Sequence, residues 1–190
     1  QQHSKSSQNV GEESLQPFIL IPFPANNLPE IKLTGEIERT EDQLSVRYYV
    51  HGNVDFIKLP DITKLPMRKD DLWKMTCFEI FLAPEGQTQY WEFNMSPSGN
   101  WNVYRMDAYR QVSMREEVLF TSLPFTFQKA NHELRLNISI DLSCILSAEQ
   151  KANIGVTAII QTFDGRESYW ALTHPGAQAD FHLRDGFTIR

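Results

Sequence analysis

Cysteine is scarce in this chain: Cys77 and Cys144 are its only two. Two widely separated cysteines do not make a disulfide framework, and without CxxC or Cys/His spacing they do not make a structural zinc site. A single bridge between them is open by count, against the plainer reading of free thiols, since unpaired Cys packs readily in strands. Basic charge is also in deficit, with 18 Lys and Arg against 24 Asp and Glu and a net charge of −6. No basic stripe exists to displace counterions, which excludes a nucleic-acid backbone as the main partner. Acidic residues form no block either, with no more than two adjoining at any point, as at Glu116-Glu117. No run of eighteen apolar residues occurs, so no transmembrane segment is expected. The absence of a Gly-rich strand-to-helix turn excludes Rossmann and P-loop sites. The chain begins Gln-Gln rather than Met, which is compatible with a trimmed leader. The compartment, cytoplasmic or exported, and the oligomeric state are therefore left open.

What is present is ordinary in bulk and ordered in detail. At 190 residues, with 41% hydrophobic and 22% charged content, the chain suits one soluble domain with a full core. Residues 1–16 are rich in Ser, Gln and Glu and lack periodicity, and read as a frayed tail. Over residues 17–190 period-two alternation recurs. Ile31, Leu33 and Ile37 share a face with Gly35; Leu44, Val46, Tyr48 and Val50 share another. Leu134, Leu136, Ile138 and Ile140 alternate with polar residues, and Ile154, Val156, Ala158 and Ile160 repeat the pattern. Turn signals separate these runs at His51-Gly52-Asn53, Pro84-Glu85-Gly86, Pro97-Ser98-Gly99 and Asp164-Gly165. Residues 141–150 suggest only a short capped turn. About ten strands with almost no helix predict an all-β fold, an antiparallel β-sandwich of jelly-roll type with two packed sheets.

Three of the four tryptophans fall within residues 72–109. Matching apolar sides in a hairpin of residues 76–83 with 89–96 pairs Phe78, Ile80 and Leu82 with Met95, Phe93 and Trp91. Glu79 then faces Asn94, and Phe81 faces Glu92. A second hairpin turning at Pro97-Ser98-Gly99-Asn100 sets Phe93 against Val103, Asn94 against Asn102, and Glu92 against Tyr104. The result is a polar row, Glu79–Asn94–Asn102, on the side away from the core. Its plainest reading is a solvated sheet face. Two Asn abreast at mid-strand are uncommon, however, and Glu and Asn make paired hydrogen bonds to vicinal hydroxyls while aromatic faces pack on sugar C–H groups. By the same register Trp91 and Trp101 point to the core, which leaves Trp73 as the ligand candidate.

Leu72-Trp73-x-x-Thr76-Cys77-Phe78-Glu79-Ile80-Phe81-Leu82, followed by Tyr90-Trp91-Glu92-Phe93-Asn94, resembles the family 9 carbohydrate-binding modules and the DOMON-like superfamily. Ala179-Asp180-Phe181-His182 and Phe187-x-Ile189 resemble that superfamily's closing strand. Trp170-Ala171-Leu172-Thr173-His174 is similar to uncharacterised bacterial DOMON-like proteins. The resemblance spans roughly residues 17–190. It implies a non-catalytic module for a small polar ligand or oligosaccharide, with Trp73 stacking on a sugar and Glu79, six residues later, bonding its hydroxyls. No Trp follows Trp170, so Phe181 or His182 would form the opposite wall. Arg105, at the end of the third strand of the row, would supply a cationic donor.

Other chemistries remain alternatives. Some DOMON domains hold haem between a Met and a His, and Met67, Met75, Met95, Met106 and Met114 with His51, His132, His174 and His182 allow such a pair, although CxxCH is absent. Glu79 and Glu92 share a face, as glycosidase carboxylates do, yet no GxSxG elbow accompanies Asp180 and His182. His174 and His182 with Asp180 or Asp185 would suit a metal, and Asp61, Asp70 and Asp71 a structural calcium ion; a solvated loop is the plainer reading of both.

Overall fold

Residues 15–109 and 114–190 are described by a computed structural model. The tail reading falls mostly outside them. At its inner end Gln16 already belongs to a strand.

Every alternating run forms a strand. In chain order they are β1 (Gln16–Pro22), β2 (Ile31–Thr40), β3 (Gln43–Gly52), β4 (Cys77–Pro84), β5 (Tyr90–Met95) and β6 (Trp101–Met106), then β7 (Arg115–Glu116), β8 (Phe125–Ala130), β9 (Glu133–Asp141), β10 (Ala152–Gln161) and β11 (Glu167–Ala171). Helix is confined, among the described residues, to three single 3₁₀ turns, one of them Leu72–Lys74. No helix there is long and apolar enough to cross a membrane. Cys77 is buried, Cys144 is exposed, and both are free thiols.

The strands do not divide into two separate sheets. They form one curled antiparallel sheet in the order β7-β6-β5-β4-β10-β11-β1-β2-β3-β9-β8. The continuity passes through β1, which pairs with β2 over Gln16–Leu20 and with β11 at Ile21 and Pro22. A curled sheet faces itself, so Leu33, Val46, Tyr48 and Leu136 from one half share a core with Ile80, Phe93, Val103 and Val156 from the other. Tyr48 marks the meeting: its ring lies edge-on to Phe78 at 5.0 Å, and its buried hydroxyl donates to the Glu79 carbonyl at 2.8 Å.

The two hairpins adopt the register that the alternation predicts, from Phe78↔Met95 through Asn94↔Asn102. The second turns where Gly99, at φ +99, takes a conformation that side-chain-bearing residues avoid. Trp91 and Trp101 are both buried in the main core.

The polar row is not solvated. Glu79, Asn94 and Asn102 are 2%, 0% and 0% exposed. β4 and β5 are buried at every position because two segments without strand periodicity lie over this face. One is residues 58–75. It joins the edge of the sheet at the start of β6, where its Lys69 amide donates to the Trp101 carbonyl and its Met67 carbonyl accepts from the Trp101 amide. The other is the closing segment, residues 172–190. There Phe187 stacks on Phe81 at 5.3 Å, and Ile189 exchanges backbone hydrogen bonds with Ile154 of β10. Gly155 makes room for it, since a Cβ at that position would lie 2.6 Å from the Phe187 ring. Phe81, Tyr90, Tyr104, Met106 and Phe187 thereby form a second, smaller core on the face opposite the first.

Candidate functional site

The two covering segments leave an opening between them. It is a pocket of about 350 Å³ whose wall includes Trp73, Tyr169, Phe181 and His182 above Glu79 and Glu92. Each part has a local cause. Trp73 sits in the Leu72–Lys74 turn, half-buried, with its ring edge-on to Tyr104 at 5.8 Å. Tyr169 is carried by β11 opposite Ile159 of β10 and meets Phe181 edge-on at 6.0 Å. His182 is set by its ring nitrogen Nδ1, 2.8 Å from the Tyr90 hydroxyl, and by its edge-on contact with Phe81. Asp180 receives the Tyr109 hydroxyl at 2.6 Å and the His182 amide at 3.0 Å, which anchors this stretch.

The floor is acidic. Glu79 and Glu92 lie diagonally on adjacent strands and hydrogen-bond one another. Thr157 of β10 also donates its hydroxyl to Glu79 Oε2 at 3.3 Å. Burial pushes the Glu79 carboxyl up to about 7, against the smaller opposing effect of its hydrogen bonds to Thr157 and Glu92. Glu92 is raised well above the usual carboxylate range, by burial first and then by the charge and hydrogen bond of Glu79. One proton shared between two buried carboxyls is the arrangement these directions describe.

Of the residues singled out from sequence, Trp73, Glu79, Phe181 and His182 therefore line one pocket. The other three do not. Asn102 is held in a separate network: Arg68 donates to its Oδ1 at 2.8 Å, and its Nδ2 reaches the Lys69 carbonyl at 3.0 Å and the Tyr104 hydroxyl at 2.9 Å. Arg105 pairs with Trp91 across the strands and so points, like Trp91 and Val103, to the opposite side of the sheet. A strand's alternation forbids Arg105 from joining Asn102, so the expected cationic donor is absent from the site. Asn94 lies on the right face beside Glu79 but is fully buried, and neither amide atom has a partner among the described residues.

Glu92 and Tyr169 are additions. Glu92 shares a face with Glu79 in the hairpin register, so that signal was present. Tyr169 required knowing that β11 lies beside β10.

The described residues do not assemble the alternative centres. Among the described residues no group of three His, Cys, Asp or Glu side chains is placed to hold a metal ion. Asp70 accepts the Tyr104 hydroxyl at 2.7 Å and Asp71 pairs with Lys74 at 3.2 Å. His174 instead contacts the Ile21 carbonyl at 2.8 Å. Among the Met and His candidates for haem only Met114 and His182 reach this pocket. Its two buried carboxyls do not suit the apolar face of a porphyrin.

No family model matches the chain, and no curated protein matches it in sequence. Solved structures do. A candidate carbohydrate-binding protein from Bacteroides uniformis superposes with a TM-score of 0.63 at 14% identity, over 92% of this chain and 84% of that one. A family 9 carbohydrate-binding module from Caldicellulosiruptor kristjanssonii in complex with cellotriose gives 0.47 at 12% identity, over 86% and 75%. One in complex with glucose from the same organism gives 0.44 at 12%, over 80% and 72%. At 14% identity the likeness to the Bacteroides protein shows one thing: the two chains share a fold.

Proposed function

We propose that this chain is a non-catalytic binding module whose pocket takes a saccharide, and that it is a divergent member of the superfamily of family 9 carbohydrate-binding modules and DOMON-like domains, its curled sheet being their sandwich scaffold. The observation that carries the reading is the convergence of a half-exposed tryptophan and two hydrogen-bonding carboxyls in one pocket of monosaccharide scale. Trp73 offers an aromatic face for the C–H side of a pyranose, and Phe181 with Tyr169 forms the facing wall. Glu79 and Glu92 accept from, or when protonated donate to, ring hydroxyls. Asn94, whose amide has no partner among the described residues, is a reserve of hydrogen-bonding capacity beside them. The Bacteroides protein of the same fold is named for carbohydrate binding, which favours the same ligand class.

A glycosidase is disfavoured by the floor itself. Two carboxyls that hydrogen-bond each other leave no space for a scissile bond between them, whereas retaining enzymes hold theirs about 5–5.5 Å apart. The haem alternative predicts a Soret band in purified protein, which the saccharide reading does not.

The test is a panel of mono- and oligosaccharides screened by thermal shift against the native chain and Trp73→Ala. The reading expects at least one sugar to raise Tm in the native protein and to have no effect on the variant. Equal shifts in both proteins, or none in either, would overturn it.

A further inference from the structure

The two halves of the sheet part at one end, and the main core opens there. β10 pairs with β11 over residues 157–161, and β1 meets β11 only at Ile21 and Pro22. Residues 16–20 of β1 stay with β2. The first residues of β10 have β4 on one side and, among the described residues, the bridge from Ile154 to Ile189 on the other. The gap between these two edges is a second pocket, of about 380 Å³, which shares no lining residue with the first. Its size is that of a small-molecule site, for which about 300–1,000 Å³ is usual.

The inner wall is aliphatic. Ile37, Leu44, Ala152 and Ile154 are buried core residues, and Ile189 packs against them. None of the described lining residues is aromatic, so this wall lacks the rings that suit the first pocket to a pyranose.

The rim is basic, and Arg39 is its unusual member. Leu33, Gly35 and Ile37 of β2 are buried and alternate with more exposed polar residues. Arg39 continues the buried series, half-buried and opposite Leu44 of β3, so it takes an inward-facing position where arginine is rare. Its guanidinium donates to the backbone carbonyls of Gln150 at 2.7 Å, Ser147 at 3.1 Å and Glu41 at 3.2 Å. These neutral acceptors fix the group in place and leave its charge uncancelled. Lys151, next in sequence to Gln150, stands beside it on the rim, and Glu85 is the one carboxylate side chain among the described lining residues. No ion pair links Glu85 to Arg39 or Lys151.

We propose that this opening is a second binding site, for an aliphatic carboxylate whose head group pairs with Arg39 and Lys151 and whose chain lies along Ile37, Leu44 and Ile154. The planar guanidinium matches the two oxygens of a carboxylate. An anion without an alkyl chain would leave the aliphatic wall wet, and a neutral chain would leave the cations unmatched; the amphiphile meets both. The site is independent of the saccharide reading.

The experiment is titration of the full chain with acetate, hexanoate, octanoate and octanamide at about pH 7, where a carboxylate is ionised. Calorimetry gives the affinities and carbon-13 methyl NMR gives the place. Affinity should rise roughly tenfold from hexanoate to octanoate, and octanamide should bind roughly tenfold more weakly than octanoate. Octanoate should move the methyl signals of Ile37, Leu44 and Ile154 and leave the Trp73 indole signal in place. Arg39→Gln should weaken octanoate about tenfold. Because Arg39 also ties down residues 147–150, Lys151→Gln is the companion variant, with an unchanged Tm and a loss of about threefold. Octanamide binding as tightly as octanoate would overturn the proposal, as would acetate binding as tightly, which would mean a surface ion pair only. Absence of octanoate binding, or binding that moves Trp73 instead of Ile37, Leu44 and Ile154, would overturn it as well.

Discussion

At the scale of single residues, Glu79 and Glu92 tie the site to stability. The folded Glu79 carboxyl titrates at about 7 against an ordinary value of 4.5, so the folded state holds more protons than the unfolded chain between those pH values. A group raised in this way stabilises the fold fully below its unfolded pKa and loses that contribution as pH rises through its folded pKa. Tm of the empty protein should therefore fall between about pH 5 and pH 8, by roughly 2–4 °C for each kcal/mol lost. Glu79→Gln, which keeps the shape and removes the ionisation, should flatten that slope. A slope unchanged in the variant would mean the pair does not share a buried proton. Trp73→Ala belongs to the same scale with the opposite signature. The ring is half-buried and packs edge-on against Tyr104, so the change should weaken saccharide binding by about tenfold or more. Melting should shift little; a collapse of Tm would instead place Trp73 in the core.

At the scale of elements, the site exists because two segments without strand periodicity roof a polar sheet face. Gly155 permits the closest approach of the closing segment. Gly155→Ala should push Phe187 off Phe81 at a cost of about 1–3 kcal/mol, read in thermal melts and in faster hydrogen exchange at Ile189. Unchanged stability and exchange would mean that Phe187 does not pin the segment. On the other side Arg68 sews residues 58–75 to the sheet, bonding Asn102 and lying 4.5 Å over the Trp101 ring. Arg68→Ala should cost about 1–3 kcal/mol through the unsatisfied acceptors left behind, and unaltered melting would contradict that role. This scale also shows what was legible in the sequence. The hairpin register, the core placement of Trp91 and Trp101, and the alignment of Glu79 with Asn94 and Asn102 all follow from period-two alternation, a local signal. The burial of that row does not. Phe187, Arg68 and Asp70 lie in stretches with no repeating pattern, and only long-range packing brings them over the sheet. Arg105 was misplaced for a simpler reason: proximity in sequence to Tyr104 does not put it on the face of Tyr104.

At the scale of the whole molecule, one sheet curls until its halves share a core. β1 is the strand that both halves use, pairing with β2 along most of its length and with β11 at its end. The all-β class was legible from recurring alternation and the lack of helical periodicity, whereas the continuity through β1 was not. It depends on the pairing of Ile21 with Ala171, residues far apart in the chain. Because core residues of both halves interlock, the described fold should unfold as one cooperative unit. Near- and far-ultraviolet circular dichroism should then melt with a common midpoint, and two midpoints would contradict a shared core. The pocket sits on the outer face of this unit, walled by Trp73, while Trp91, Trp101 and Trp170 are buried in the main core. That contrast gives the most direct test of the binding claim. Nitrogen-15 NMR of the four tryptophan indole N–H groups during titration with the best saccharide of the panel should move the Trp73 resonance and leave the other three in place. Movement of Trp91, Trp101 or Trp170 with Trp73 unmoved would contradict the account.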